Sequence, residues 1–262
     1  MSSCQYVKMN KIKKGTYGTV YKARNIINNE IVAMKKISSA KLAKHEANFL
    51  KMASKHSGVV DYKGMVRSNS AYFIIQEYVA RDLHSCIHQL TMPQIKSIHE
   101  QLKSVVDYIH SLGFLHRDIT PSNILITEDF TVKLADFGTA IRFEDIHADL
   151  PAMTTLQYRS PWIMLGGVEN TRSDFWSVGC ILLQLILQKL PFRGVSEIDY
   201  VCNVLSVIGL ASLSNAPLIS MINADNCPFE KQKFIMQVKD NLPCEDLQYF
   251  ENELNQLIFD SW

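Results

Sequence analysis

Three polar side chains near the middle of the chain could do chemistry together: Asp118, Asn123 and Asp136. Asp118 is a carboxylate that can take a proton, in the run His116-Arg117-Asp118-Ile119-Thr120-Pro121-Ser122-Asn123. The Asn123 amide oxygen can bind a metal. The apolar runs Ile124-Leu125-Ile126 and Val132 to Ala135 read as two short strands with a turn between them, and Asp136-Phe137-Gly138 follows the second. A hairpin of this kind is expected to bring all three side chains toward one point. Two oxygen ligands for Mg²⁺ beside a base for a hydroxyl are the equipment of phosphoryl transfer, in which positioning and charge neutralisation carry most of the catalysis.

Such a site needs elements that hold a polyphosphate. Ile12-Lys13-Lys14-Gly15-Thr16-Tyr17-Gly18-Thr19-Val20 offers glycines that let backbone amides approach phosphates. The strand-like run Val32-Ala33-Met34-Lys35 follows, then helical spacing from Lys41 to Ala53, with Leu42, Phe49 and Leu50 as apolar contacts and Glu46 among them. Tyr72 to Tyr78 has strand composition. Met92 to Leu112 predicts a second helix through Ile95, Ile98, Leu102, Val105, Val106 and Ile109, with Pro93 in its first turn and Gly113 at its end.

The bulk properties exclude several function classes. At 262 residues, 47% apolar, 20% charged and net charge +1, the chain is large enough for a sizeable core and ordinary for a soluble enzyme. This balance gives no reason to expect nucleic acid or a membrane as partner. The basic, polar start has no signal-peptide core. The longest apolar run, Val178 to Leu187, is too short to span a bilayer and predicts a buried helix. The six cysteines lack a C-x-x-C pair, so reduced thiols and a nuclear or cytoplasmic location are expected.

In order, the glycine-rich loop, the Lys35 strand, H-R-D with its following Asn, and D-F-G resemble the protein kinase signature. Thr154-Thr155-Leu156-Gln157-Tyr158-Arg159-Ser160-Pro161-Trp162 resembles T-L-W-Y-R-A-P-E of the cyclin-dependent (cell division) serine/threonine kinases. Phe192 to Asp199 resembles their F-x-G-x-S-E-I-D run. The resemblance covers roughly residues 6–210. It implies an α+β, bilobal fold, with a β-rich N-lobe over 1–79 and a mostly helical C-lobe over 80–262 that ends short within the last helices. It implies ATP and Mg²⁺ as cofactors and protein substrates, with a role in cell-cycle or transcription control. Asp118 would be the catalytic base, and Asn123 and Asp136 the metal ligands. Ile12, Gly15, Gly18, Val20, Ala33, Lys35, Glu77, Val79 and Leu125 would bind the nucleotide, with Glu46 pairing Lys35. Leu50 and Tyr62 would stack with His116 and Phe137. Asp174 would anchor the catalytic loop, and Gln76 takes the gatekeeper position. Thr16 and Tyr17 match regulatory phosphorylation sites of relatives.

Departures bear on that expectation. Lys13 replaces the first glycine of the loop. Thr120 replaces the usual lysine, so a slower phosphoryl step is expected. Trp162 replaces the A-P-E glutamate. The activating threonine falls on Leu150, beside Asp149, which could mimic its phosphate. The stretch matching the P-S-T-A-I-R-E run of the cyclin-dependent kinases ends Ala43-Lys44-His45-Glu46 instead, which weakens the case for a cyclin-like activator. The alternative is a pseudokinase scaffold, favoured by Lys13, Thr120 and Trp162 and opposed by the intact Lys35, Glu46, Asp118, Asn123 and Asp136.

Overall fold

The computed structural model describes residues 5–15, 18–68, 71–222, 227 and 229–259. Thr16 and Tyr17 lie outside the described residues. In chain order the elements are β1 (Tyr6–Lys14), β2 (Thr19–Asn25), β3 (Ile31–Ile37), α1 (Ala40–Ala53), β4 (Tyr62–Ser68), β5 (Ala71–Glu77), β6 (Arg81–Asp82), α2 (Leu83–Cys86), α3 (Met92–Ser111), β7 (Phe114–Leu115), β8 (Ile124–Ile126), β9 (Val132–Leu134), β10 (Ile141–Arg142), α4 (Pro161–Met164), α5 (Thr171–Leu187), α6 (Glu197–Ile208), α7 (Lys231–Lys239) and α8 (Leu247–Leu254).

The chain forms two compact units, residues 1–85 with 122–140, and residues 86–121 with 141–262. The expected boundary near residue 79 falls within the first of these units, which also includes the β8–β9 hairpin. Arg81 and Asp82 of β6 pair with Ile126 and Leu125 of β8. Leu134 N–H donates to the Gly58 carbonyl, and Val60 N–H donates to the Leu134 carbonyl. The hairpin therefore carries Asn123 and Asp136, while Asp118 belongs to the second unit.

The first unit is built on an antiparallel sheet in the order β1-β2-β3-β5-β4. Side chains alternate across β3. Val32 and Met34 join Ala23, Val66, Ala71, Phe73 and Ile75 in the core on one face. Ala33 and Lys35 project to the other. Helix α1 starts at Ser39, whose hydroxyl accepts the Leu42 N–H. It buries Ala43, Glu46, Ala47, Phe49, Leu50 and Ala53. Leu42, expected among the apolar contacts, stands in the first turn and stays 42% exposed. Phe137 stacks on Phe49 at 4.6 Å, one residue before the fully buried Leu50.

The second unit is helical. Thr91 and Gln94 form a capping box ahead of α3, and Pro93 falls in the first turn. Helix α5 is buried almost all round, consistent with an apolar run that no bilayer explains. Ser196 caps α6 by accepting the Asp199 N–H, so the S-E-I-D run is a helix start. Near the end of the chain, Glu253 of α8 bonds His99 and Lys103 of α3 at 3.0 and 2.7 Å. Among the described residues no helix is long and apolar enough to cross a membrane, and Cys180, Cys202, Cys227 and Cys244 form no disulfide.

Candidate active site

The first unit holds a cavity of about 260 Å³. Ile12, Val20, Ala33 and Leu125 give it apolar walls. Glu77 and Val79 line it too, and Lys13, Lys35, Asp82, Asn123 and Asp136 are among its charged and polar lining. Of the residues expected to bind nucleotide or metal, only Gly15 and Gly18 are not in this lining. The Gly15 N–H donates to the Gly18 carbonyl at 2.9 Å. Gly18 has a packing reason to be glycine, since a Cβ there would collide with the Lys36 carbonyl.

Strand β3 carries Lys35 into the unit at 4% exposure. Its ammonium lies 2.6 and 2.7 Å from the two Glu46 oxygens and 2.6 Å from Asp136 Oδ1. Burial on its own pulls the Lys35 ammonium down, but Glu46 and then Asp136 outweigh it, so the group is held charged above the usual lysine range. Burial pushes Glu46 up, Lys35 offsets this only in part, and repulsion from the Asp136 carboxylate adds to the rise. Asp136 sits in the left-handed region at φ 64°. A Cβ on Gly138 would come within 3.2 Å of Lys35 Nζ and 3.3 Å of Glu46 Oε2. The glycine of D-F-G thus leaves room for the triad.

Asn123 is almost fully buried. Its carbonyl accepts the Ala135 N–H at 2.9 Å, which ties it to the residue before Asp136. Lys13 Nζ donates to Asn123 Oδ1 at 2.7 Å. Each expected metal ligand therefore carries a lysine ammonium: Lys35 on Asp136, Lys13 on Asn123.

Asp118 is placed by the second unit. Its Oδ1 accepts the Thr155 hydroxyl at 2.9 Å and the Thr155 N–H at 3.2 Å. The loop before it is strained, with Arg117 at φ 70°. Buried Asp174 holds that loop by accepting the His116 and Arg117 N–H groups at 2.9 Å each. Burial pushes Asp174 up, but His110 and those loop donors more than reverse it, and its carboxyl is held below the usual range. Arg117 pairs with buried Glu169 at 3.2 Å and donates to the Pro151 carbonyl at 2.6 Å. Thr154 donates to the Arg117 carbonyl, and Arg159 donates to the Thr154 carbonyl. Asp149 is exposed. Trp162 donates through Nε1 to the Val168 carbonyl at 3.0 Å, and its indole lies where a Cβ on Gly167 would stand.

Residues 6–250 match the protein kinase domain. The chain belongs to the protein kinase family. The kinase is 33% identical over 249 residues to cyclin-dependent kinase 10 of Bos taurus, covering 87% of this chain and 69% of that relative. It is 32% identical to cyclin-dependent kinase 11B of Rattus norvegicus, covering 84% and 55%. It is 31% identical to cyclin-dependent kinase G1 of Arabidopsis thaliana, covering 88% and 41%. It is an ATP-dependent serine/threonine protein kinase of the cyclin-dependent-like group. The family match reaches residue 250, so residues 211–250, beyond the resemblance read from the sequence, are part of the kinase domain.

Kinases of this family use ATP and Mg²⁺, and the residues present fit both. The cavity pairs apolar walls with two ammonium groups. Among the described residues Gln76 Nε2 is a buried donor with no hydrogen-bond partner, on a residue that lines the same cavity. An amide oxygen and a carboxylate are hard donors suited to Mg²⁺, which takes its remaining ligands from phosphate and water.

Three contributors were not legible as such in the sequence. His110 reads as a packing histidine, yet it bonds Asp174 at 2.9 Å. Glu169 precedes the Asn170 cap of α5 and carries no motif. Lys13 was visible only as a lost glycine.

Proposed function

We propose that the kinase binds ATP in the cavity of the first unit and transfers its γ-phosphate to serine or threonine hydroxyls of proteins. The observation that carries this reading is the buried Lys35 ammonium held between Glu46 and Asp136. Ile12, Val20, Ala33 and Leu125 enclose the adenine, and backbone groups of Glu77 and Val79 bond its edge. Lys35 holds the α- and β-phosphates, and Glu46 fixes where Lys35 points. Asn123 and Asp136 hold Mg²⁺, which when bound neutralises charge on the phosphates. Asp118 orients the substrate hydroxyl and accepts its proton late, with Thr155 fixing the carboxylate.

The departures from the family pattern are supported by local replacements. Glu169 gives Arg117 the counter-charge that a phosphate gives in relatives, so the segment around Thr154 and Thr155 needs no phosphorylation to be ordered. Trp162 fills its site by packing and one hydrogen bond instead of an ion pair. The pseudokinase reading is not favoured. The relatives are named as cyclin-dependent kinases, which supports a cyclin-like activator and a role in cell-cycle or transcription control. Leu42 is an exposed apolar contact that α1 offers to such a partner.

The test is phosphoamino-acid analysis of a generic protein substrate after incubation with radiolabelled ATP. Label on serine or threonine, lost with Asp118→Asn, is the expected result. Label on tyrosine, or label that survives the substitution, contradicts the reading. Co-purification of a cyclin-like protein, reduced by Leu42→Asp, tests the partner.

A further inference from the structure

We propose that Lys13 is a phosphate-binding residue of the nucleotide site, a second ammonium that rests on Asn123 until a triphosphate arrives. The inference rests on the reading of the first-unit cavity as the nucleotide site. It starts from the end of β1, where irregular pairing with β2 between Lys8 and Lys11 and again between Lys11 and Lys13 breaks the regular register. From there the half-buried Lys13 reaches Asn123 Oδ1 at 2.7 Å and the Ser122 carbonyl at 3.3 Å. It lines the same cavity as Lys35 and Asp136.

The two ammonium groups are compensated differently. Lys35 faces two carboxylates at 2.6 to 2.7 Å. The acceptors of Lys13 are an amide oxygen and a peptide carbonyl, both neutral. Neutral dipoles satisfy its donors but leave a full positive charge facing the cavity. A triphosphate is the ligand that such a charge favours, because charge-assisted hydrogen bonds to phosphate exceed those to amide oxygen. When Lys13 moves from Asn123 to phosphate, it frees the Asn123 oxygen for Mg²⁺. Lysine binds phosphate as a point charge on a flexible stem, so the move needs only side-chain rotation. The same charge is absent at position 120, where this chain has threonine.

The consequence is nucleotide affinity that depends on the polyphosphate even without metal. Binding of fluorescent ATP, with competition by adenosine, is measured in EDTA and again in Mg²⁺ for the wild type, Lys13→Met and Lys13→Arg. Loss of one charge-assisted contact is worth about ten- to a hundredfold, so Lys13→Met should weaken ATP by about that factor in EDTA. Adenosine affinity should be unchanged, and Lys13→Arg should restore most of the ATP binding. A wild type that binds ATP alongside a Lys13→Met protein within twofold of it in EDTA overturns the proposal. Equal losses for ATP and adenosine also overturn it, since Lys13 would then be only a support of the loop. A wild type that binds neither ligand defeats the nucleotide-site reading itself.

Discussion

One ammonium serves two carboxylates in the first unit, and this sets how Lys35, Glu46 and Asp136 act. Removing the Glu46 charge leaves Lys35 to Asp136, which draws the ammonium toward the proposed metal ligand and away from the proposed phosphate position. Glu46→Gln should therefore lower kcat/KM for ATP by about ten- to a hundredfold, the worth of one charge-assisted bond. Steady-state kinetics at saturating protein substrate checks this, and an unchanged value would remove Glu46 from the mechanism. That Lys35, Glu46, Asn123 and Asp136 would come together was legible from the order of their motifs along the chain. Lys13 and Glu169 were not. A lysine beside a turn reads as solvated, and a glutamate ahead of a helix cap reads as a surface charge. Only packing gives one an amide oxygen and the other a buried arginine.

At the scale of elements, the segment from Pro151 to Arg159 is fixed by hydrogen bonds to the loop of Arg117 and to itself. The Arg117–Glu169 pair is 5% and 4% exposed at its side chains. Breaking such a pair on one side leaves a buried charge without its partner, which costs about 3–5 kcal/mol. Glu169→Ala should lose that much in urea unfolding, and Arg117→Met with Glu169→Ala should lose less than the sum of the singles. Asp149→Ala should stay within about 0.5 kcal/mol of wild type, as surface substitutions do, and keep its activity. An inactive Asp149→Ala enzyme would return the phosphate-mimic role to Asp149. In the first unit, Phe49→Ala removes a fully buried ring stacked on Phe137 and should cost about 3–5 kcal/mol. The helices and strands that carry these residues were readable from periodicity and caps. The return of β8–β9 to the first unit was not, because it depends on backbone bonds to Gly58 and Val60 that carry no side-chain signal.

Across the whole molecule, the residues proposed to bind nucleotide and metal lie in one compact unit, and Asp118, the proposed base, lies in the other. The second unit is closed toward its end by Glu253, whose carboxyl is held down to about 2 from 4.5, first by His99 and also by Lys103, against its partial burial. A depressed carboxyl stabilises above its unfolded value and loses that contribution as pH falls from 4.5 toward 2. Glu253→Gln should therefore lower the urea midpoint at neutral pH, with the gap to wild type narrowing below pH 4.5. A gap independent of pH would mean that the contact acts through packing alone. The central claim is that the chain is an active kinase despite Lys13, Thr120 and Trp162. It is tested most directly by purifying wild type and Asp118→Asn with their bound partners and measuring ATP affinity and phosphate transfer on the same samples. The account predicts equal ATP affinity, with transfer falling by about 10²–10⁴-fold in the variant. Equal affinity with wild-type transfer no higher than that of the variant would contradict it.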